Sequence, residues 1–566
     1  MGVRRAVEMA LDAPNKHTNP ISTYGPLIHN PHVLNLLKEK GISVLNNIPD
    51  HGSGTILIRA HGVPPTTTQK LKKAGFSVID ATCPRVIKVQ SIIKQYTSQG
   101  YASIIIGDKD HPEVIGLLGF AGEKGFVVGN IKDLDTLPEF KRAIIVAQTT
   151  QNTLFFEKIQ KWASREFPQY KIFNTICDST EMRQTEVNRL AELVDAIIVV
   201  GGRNSGNTQR LTNTAKQAGK PAFQIESESE LDITALENVR NIGITAGAST
   251  PNWILKRVYR TLETLPFKKK HAWRRAFFAI QRSLLLTNIY VSIGAGCLCY
   301  ASLKLLGIKY FFPYMLISML YVLSMHTLNH LTGRIEDSYN DPHRAAFYQK
   351  HYNFLTFLAV CAGGAGLITA YIMGLIPFLI LLSMSIMGLT YNKKLVPESF
   401  TRIKYHRIRD IPGSKTALIA LAWGIVSSVF PYLSVFGKFN LKAGLIFIWV
   451  TGMVFVRTAF FDILDMQGDR LIGKETIPIL LGEKRSFRLL KGILISLIAI
   501  FFFSSLFHLI PSLGVAIIIC PIFILIILSI HERGSILPGI RLEFLVETLF
   551  VLAGVIALLW SVLIIA

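Results

Sequence analysis

Apolar positions are distributed in two ways along this chain. Up to about Trp253, short apolar runs of four or five residues alternate with longer stretches of mixed character. Examples are Thr55-Ile-Leu-Ile-Arg59, Ser103-Ile-Ile-Ile-Gly107, Ala143-Ile-Ile-Val-Ala147 and Ala196-Ile-Ile-Val-Val200. Each is too short for a core helix and ends in polar or glycine-containing sequence, which predicts buried, mostly parallel strands joined by helices. From about Ser283 the runs become far longer. Nine of them, near 283–305, 311–328, 354–372, 374–390, 416–434, 442–460, 489–506, 510–530 and 545–565, approach the roughly 20 apolar residues that cross a bilayer. The expected fold is an α/β soluble domain followed by an all-α, nine-helix transmembrane bundle. A length of 566 residues fits such a division, because a single core stops growing well below it.

Charge sharpens this picture. The net charge of +22 admits a nucleic-acid partner in principle, but its placement argues against one. Basic residues gather in the segment before the first apolar run (Lys256, Arg257, Arg260, Lys268, Lys269, Lys270, Arg274, Arg275, Arg282) and in loops between runs. That is the pattern of residues facing anionic lipid and fixing orientation. Loops 391–415 and 461–488 are strongly basic and loops 329–353 and 531–544 carry further basic residues, whereas the loops on the opposite side are short and nearly uncharged, with Lys309 and Lys438 among the few exceptions. With nine spans the basic loops share a side with the soluble domain, so that domain is expected in the cytoplasm, on an inner membrane, with the C-terminus outside. The six cysteines contain no CxxC pair and imply no disulfide framework. The first residues, Met-Gly-Val-Arg-Arg, have no apolar signal-peptide core.

Acidic residues concentrate at two expected span ends on the basic side. Asp462, Asp465 and Asp469 share one helical face through i,i+3 and i,i+4 spacing. Like charges so placed call for a cation, and hard oxygen ligands suit Mg²⁺ completed by substrate phosphate. A solvated loop with capping acids is the alternative. The second segment runs from Asn329 to Pro342 and includes Asp337, Asn340 and Asp341. Together these residues resemble the two acidic motifs of the UbiA superfamily of intramembrane prenyltransferases. The match is close for Asp462-x-x-Asp465-x-x-x-Asp469 followed by Gly473-Lys474-x-Thr476. In the first motif Asn329, Asp337, Asn340 and Pro342 agree, but Gly333 stands where that family has its middle aspartate, with Glu336 or Asp341 as possible replacements. The resemblance implies Mg²⁺ held by Asn329, Asp337, Asp462, Asp465 and Asp469. It also implies a prenyl diphosphate contacted by Lys404 and Lys474, and an allylic cation captured by an acceptor.

In the first half, the residues that follow the expected strands are histidines, hydroxyls, amides and glycines. They are Ala60-His61-Gly62, Asp108 to Glu113, Gln148-Thr149-Thr150, Gly201 to Asn207 and Ala246 to Ser249. Each alone reads as an ordinary strand-to-helix turn; their recurrence at successive strand ends suits a diphosphate held by many hydrogen bonds. No GxxxxGK[ST] sequence is present. Cys83 and Cys177, alone, read as buried thiols.

The ordered series Tyr24-Gly-Pro-Leu-Ile-His29-Asn30, Arg59-Ala-His61-Gly, Asp80-Ala-Thr-Cys83-Pro, His111-Pro-Glu113, Gln148-Thr149-Thr150, Thr175-Ile-Cys177, Asn204-Ser205-Gly-Asn207 and Thr245-Ala-Gly-Ala-Ser249 resembles the LytB family of 4-hydroxy-3-methylbut-2-enyl diphosphate reductases. The resemblance extends to about residue 262 and implies three α/β modules around a 4Fe-4S cluster. It implies Cys83 and Cys177 as cluster ligands, with His29, His61, His111, Thr149, Ser205, Asn207 and Ser249 holding the substrate and Glu113 relaying a proton. Gly206 stands where a serine is frequent. The family's first cluster cysteine lies two residues before a Gly-Val pair. Met1 directly precedes Gly2-Val3 here, so the expectation is a true start upstream.

The expected organisation is therefore a reductase-like domain at 1–262, a basic linker at 263–282 and a prenyltransferase domain at 283–566. The expected partners are isoprenoid diphosphates, an electron donor such as ferredoxin or flavodoxin, and membrane lipid, with no nucleic acid. Two other readings stand beside this bifunctional enzyme: a non-catalytic diphosphate-binding first half that regulates the transferase, and a membrane half that serves only as an anchor.

Overall fold

The isoleucine-rich runs of the first half pack on both faces. In a computed structural model of the chain, Ala102–Ile106 is a strand with every residue buried. Its alternate side chains enter different cores: Ile104 and Ile106 pack with Phe156 and Ile159, and Ile105 packs with Val89, Ile93 and Val114. This two-sided burial is what parallel strands covered by helices require. Each fully buried isoleucine contributes about 1.5–3 kcal/mol. The structure describes residues 2–16, 19–237, 239–264, 272–333, 337, 340–391, 411–471, 474, 476–533 and 539–565. The chain forms two structural units that divide between Val258 and Tyr259.

The first unit contains three sheets, all parallel. Strands β1 (Ile21–Tyr24), β2 (Ser43–Leu45), β3 (Thr55–Ile58) and β4 (Ser77–Asp80) form one in the order β2-β1-β3-β4. Strands β5 (Ala102–Ile106), β6 (Gly125–Val128), β7 (Ala143–Ala147) and β8 (Lys171–Phe173) form a second in the order β6-β5-β7-β8. Strands β9 (Ala196–Val200), β10 (Ala222–Ile225) and β11 (Ile242–Ala246) form the third, with β9 central. The three expected modules are these three sheets with their helices.

The helices begin where the site residues lie. They are α1 (Gly2–Lys16), α2 (Pro31–Glu39), α3 (Pro65–Lys73), α4 (Pro84–Ser98), α5 (Pro112–Ala121), α6 (Thr153–Glu166), α7 (Asp178–Leu193), α8 (Gly206–Gln217), α9 (Ile233–Leu236) and α10 (Asn252–Thr264). Proline at the first helical position of α2 to α5 explains these sharp starts, since it supplies a helical φ where no N–H is needed.

The second unit is helical. Seven of its described helices are long and apolar enough to cross a membrane: Ile289–Leu306, Tyr352–Met373, Ser414–Phe436, Leu441–Arg470, Glu483–Leu506, Leu513–Glu532 and Ile540–Leu563. The nine-span expectation is thus met by seven. The stretches expected at 311–328 and 374–390 form the helices Phe312–Thr332 and Leu375–Thr390, which do not qualify. The first is diluted by His326, Asn329, His330 and several hydroxyls, and the second has only 16 residues after a break at Gly374, whose φ is 136°.

Not all the basic residues before the first span behave as the sequence suggested. Arg257 lies against the Trp253 ring, 4.8 Å from its centroid, and within 3.9 Å of Glu228. Arg260 is buried and ion-paired to Asp341. Each finds a carboxylate that is distant in sequence.

Candidate functional site

In the first unit every expected site residue follows the C-terminal end of a strand. His29 follows β1, His61 follows β3, Cys83 follows β4, His111 follows β5, Thr149 follows β7, Cys177 follows β8, Ser205 and Asn207 follow β9, and Ser249 follows β11. Four of them are helix caps: Cys83 on α4, His111 on α5, Cys177 on α7 and Ser205 on α8. Several helix N-termini with their unpaired N–H groups therefore lie among these residues, an arrangement that favours an anion.

The three histidines form one group. Ring centroids are 4.9 Å apart for His29–His61, 5.4 Å for His61–His111 and 6.0 Å for His29–His111. Their nitrogen atoms lie within 4.8 Å of one another. Burial holds all three below the usual histidine range, His61 well below it and His111 at about 4. At neutral pH they are neutral rings able to donate. The Nδ1 of His111 accepts the backbone N–H of Glu113 at 3.1 Å, which leaves the proton on Nε2. His29 Nε2, His61 Nδ1 and both polar atoms of the Asn207 side chain are buried without a protein partner. Such orphaned groups are costly unless a ligand satisfies them.

Glu113 lies beneath this group, with 1% exposure. Its carboxylate accepts the backbone N–H of Thr149 at 2.7 Å and the Thr149 hydroxyl at 2.9 Å. Burial raises its pKa above the ordinary carboxylate value despite these two bonds. The third module closes the site: Ser249 donates to Ser205 at 3.4 Å, and a Cβ on Gly206 would lie 3.6 Å from the His111 ring. Arg210 reaches from α8 to Asp108 at 2.7 Å and Thr150 at 3.1 Å. The sequence reading missed this residue. Its only signal is a position four residues after Gly206, one turn along the same helical face.

Both thiols in this unit are free. An ion pair between Arg85 and Asp178 draws together the first turns of α4 and α7, which carry Cys83 and Cys177 at their caps. Gly2 packs directly on Cys83, where a Cβ would collide with the thiol. Arg5 of α1 donates to the Thr82 carbonyl at 3.4 Å.

In the second unit, Asp462 and Asp469 are buried on the Leu441–Leu471 helix, with Asp465 half-buried between them. The Thr416 hydroxyl donates to Asp462. Asn340 donates to Asp469 at 3.0 Å, and Lys474 lies 3.7 Å from the same carboxylate. Gly468 makes the approach of Asn340 possible, since a Cβ there would collide with the amide. Asp337 pairs with His330 at 2.8 Å. Asn329 lines a cavity of about 240 Å³ together with Tyr321, His326, Tyr391, Lys415 and Trp423. Of the two suggested replacements at Gly333, Asp341 is already committed: it pairs with Arg260 and caps the Pro342–Lys350 helix. Glu336, Lys404 and Gly473 lie outside the described residues. A buried ion pair between Arg457 and Glu547, both within spans, also escaped the sequence reading.

The oxygen donors Asp462, Asp465, Asp469, Asn329 and Asp337 fit Mg²⁺ in kind and in burial. Among the described residues no three carboxylate or histidine ligand atoms of this set converge on one point. That is compatible with an ion held by one or two carboxylates and completed by water and phosphate.

Comparison with known proteins agrees with both halves. Residues 1–263 match the family model described as LytB protein, and residues 289–536 match that of the UbiA prenyltransferase family. The chain is 40% identical over 267 residues to the 4-hydroxy-3-methylbut-2-enyl diphosphate reductase of Aquifex aeolicus, covering 47% of this chain and 92% of that protein. It is 39% identical over 269 residues to that of Geobacter sulfurreducens, covering 48% and 95%. Among solved structures it is similar to the reductase of Plasmodium falciparum (31% identity, TM-score 0.45, 47% of this chain and 85% of that one). It is also similar to a UbiA homologue of Archaeoglobus fulgidus bound to GPP and Mg²⁺ (17% identity, TM-score 0.37, 48% and 98%). The chain belongs to the LytB family and carries, after that domain, a domain of the UbiA prenyltransferase family.

Proposed function

We propose that the chain is a bifunctional isoprenoid enzyme. Its reductase domain, 1–262, converts 4-hydroxy-3-methylbut-2-enyl diphosphate to isopentenyl and dimethylallyl diphosphate. A basic linker, 263–282, leads to a domain at 283–566 that performs Mg²⁺-dependent prenyl transfer within the membrane. The carrying observation for the first half is the set of buried, unpartnered donors on His29, His61 and Asn207. As N–H donors they match the oxygens of a diphosphate.

The chain's own residues then have distinct tasks. His29, His61, His111, Ser205, Asn207 and Ser249 bind the diphosphate and orient the allylic end. Thr149 faces the substrate hydroxyl. Glu113, whose pKa is raised by burial, holds a proton behind Thr149 and passes it through that hydroxyl, which suits a general acid. The net reaction breaks the allylic C–O bond, consumes two electrons and two protons, and releases water. The electrons come from a donor of the ferredoxin or flavodoxin class.

The family's iron–sulfur cluster supplies the redox chemistry when bound. Cys83 and Cys177 would hold it, but two thiolates meet its requirement only in part. Gly2 lies directly against Cys83, so the first turn of α1 borders the place the cluster would take. In the second domain, Asp337, Asp462, Asp465, Asp469 and Asn329 would hold Mg²⁺, which neutralises the departing diphosphate. Lys474 and Lys404 assist at the phosphate, and the cavity beside Asn329 takes the prenyl chain. The basic loops support a cytoplasmic reductase domain on an inner membrane.

The first test is iron and sulfide content with low-temperature EPR on anaerobically purified protein. The chain beginning at Met1 is compared with one carrying the residues encoded upstream. The reductase reading expects a cluster in the extended chain. A cluster in neither leaves the other reading, a diphosphate-binding module that regulates the transferase.

A further inference from the structure

The second unit contains a charged cluster that the transferase reading does not use. Arg260 and Arg344 face Asp341 and Glu543. Arg260 pairs with Asp341 and lies 3.6 Å from Glu543; Arg344 pairs with Glu543 and lies 3.5 Å from Asp341. Side-chain exposure is 9%, 13%, 12% and 14% respectively. Two cations and two anions thus form a neutral, largely buried quartet. Burying four charges is expensive, and removing one member leaves its partners uncompensated. Such a cluster fixes the geometry of the elements that bear it.

Those elements lead to both acidic motifs. Asp341 is covalently next to Asn340, whose amide donates to Asp469 at 3.0 Å. Arg344 lies 3.3 Å from His330 Nε2, and the other ring nitrogen of His330 lies 2.8 Å from Asp337. Arg260 therefore stands at the head of two short polar paths, one to Asp469 and one to Asp337. It sits in the last turns of α10, in the part that belongs to the second unit. Glu263, one turn further on, accepts the backbone N–H of Ile540 at 2.9 Å and of Arg541 at 3.4 Å, where the final span begins.

We propose that Arg260 is a positioning residue of the prenyltransferase site. In this chain a residue preceding the first apolar run completes the outer support of the Mg²⁺ ligands. Arg260 holds Asp341 so that Asn340 meets Asp469, and it holds the Arg344–Glu543 pair that orients His330 against Asp337. Groups that orient metal ligands in this way typically change metal affinity by about 10- to 100-fold when removed. The inference rests on the transferase reading above.

The test uses the full chain in detergent and follows binding of geranyl diphosphate as a function of Mg²⁺, with thermal melting recorded in parallel. Arg260→Met is expected to raise the half-saturating Mg²⁺ concentration about 10-fold. Arg260→Lys keeps the charge without the planar fork, and is expected to raise it by about two- to three-fold. Equal Mg²⁺ curves for wild type and Arg260→Met, with or without a lower melting temperature, overturn the proposal. Should Arg260→Met not fold, an unshifted curve for Arg260→Lys overturns it equally. If the wild-type chain binds geranyl diphosphate with no dependence on Mg²⁺, the transferase reading itself fails and this inference falls with it. A shift confined to the variants supports the inference alone.

Discussion

In the function proposed above, the two halves of this chain meet the same chemical group, a diphosphate, with opposite electrostatics. The first unit offers neutral donors: three histidines held in their uncharged form by burial, an amide, hydroxyls and several helix N-termini. The second offers buried carboxylates, which repel a diphosphate until a divalent cation lies between. Solvent explains the difference. In a parallel α/β fold the strand ends present many helix N-termini to a water-filled crevice, so an anion can be met by N–H groups directly. In a membrane bundle the helix backbone is already satisfied, and anionic recognition has to be brought in by an ion.

This contrast can be broken experimentally. The largest effect is expected from Asp465→Ala. It should reduce Mg²⁺-dependent transfer from geranyl diphosphate by roughly 1000-fold, while isothermal titration of the first unit's site with an alkyl diphosphate is unchanged. EDTA should act in the same way. Transfer that survives either treatment removes the metal assignment. His61→Ala should weaken diphosphate binding to the first unit by roughly 30-fold, the loss of about 2 kcal/mol from a hydrogen bond to a charged group. An unchanged Kd by titration would detach the histidine group from the diphosphate.

Gly468→Ala is subtler. Alanine favours the helix by about 1 kcal/mol, yet its methyl group displaces Asn340 from Asp469. A several-fold rise in half-saturating Mg²⁺, about 5-fold, is expected at a melting temperature near wild type. The smallest effect concerns pH. His111 has its pKa lowered to about 4, so the empty first unit binds fewer protons than the unfolded chain between pH 6.5 and 4. Its contribution to stability is present above pH 6.5 and is lost as pH falls toward 4. A bound diphosphate reverses this by favouring the charged rings. Affinity should rise about 3-fold from pH 8 to pH 6.5 with net proton uptake, measured calorimetrically in buffers of different ionisation enthalpy. Proton release on binding would contradict the neutral-donor picture.

Much of this was legible in the chain. Buried parallel strands announce themselves as runs such as Ala143–Ala147, and His61, His111, Thr149, Ser205 and Asn207 follow such runs within a few positions, whereas His29, Cys83, Cys177 and Ser249 follow shorter or less buried strands. The acid spacing at Asp462, Asp465 and Asp469 is likewise local. What could not be read was everything that depends on distant pairing. Arg260 looked like one more lipid-facing cation because its partners, Asp341 and Glu543, lie far along the sequence. Arg210 escaped the sequence reading because its partners, Thr150 and Asp108, lie 60 and 102 residues away. Seven of the nine expected spans are long and apolar enough to cross unaided; the other two stretches also form helices, Phe312–Thr332, polar at one end, and Leu375–Thr390, with only 16 residues. The helix Leu375–Thr390 packs Leu381 and Met384 into the same core as Ile317 and Val322 of Phe312–Thr332.

The bond between Glu263 and the start of the final helix also has a consequence for how the molecule is made. The partners are separated by 277 residues. At about 5–20 residues per second of synthesis, roughly 15–55 s pass between emergence of the carboxylate and emergence of the backbone it caps. Through that interval Arg260 and Glu263 wait without their final-span partners while the intervening spans are threaded into the bilayer. The helix Ile540–Ile565 therefore closes the quartet, and the outer support of the transferase site is complete only once that helix has been made.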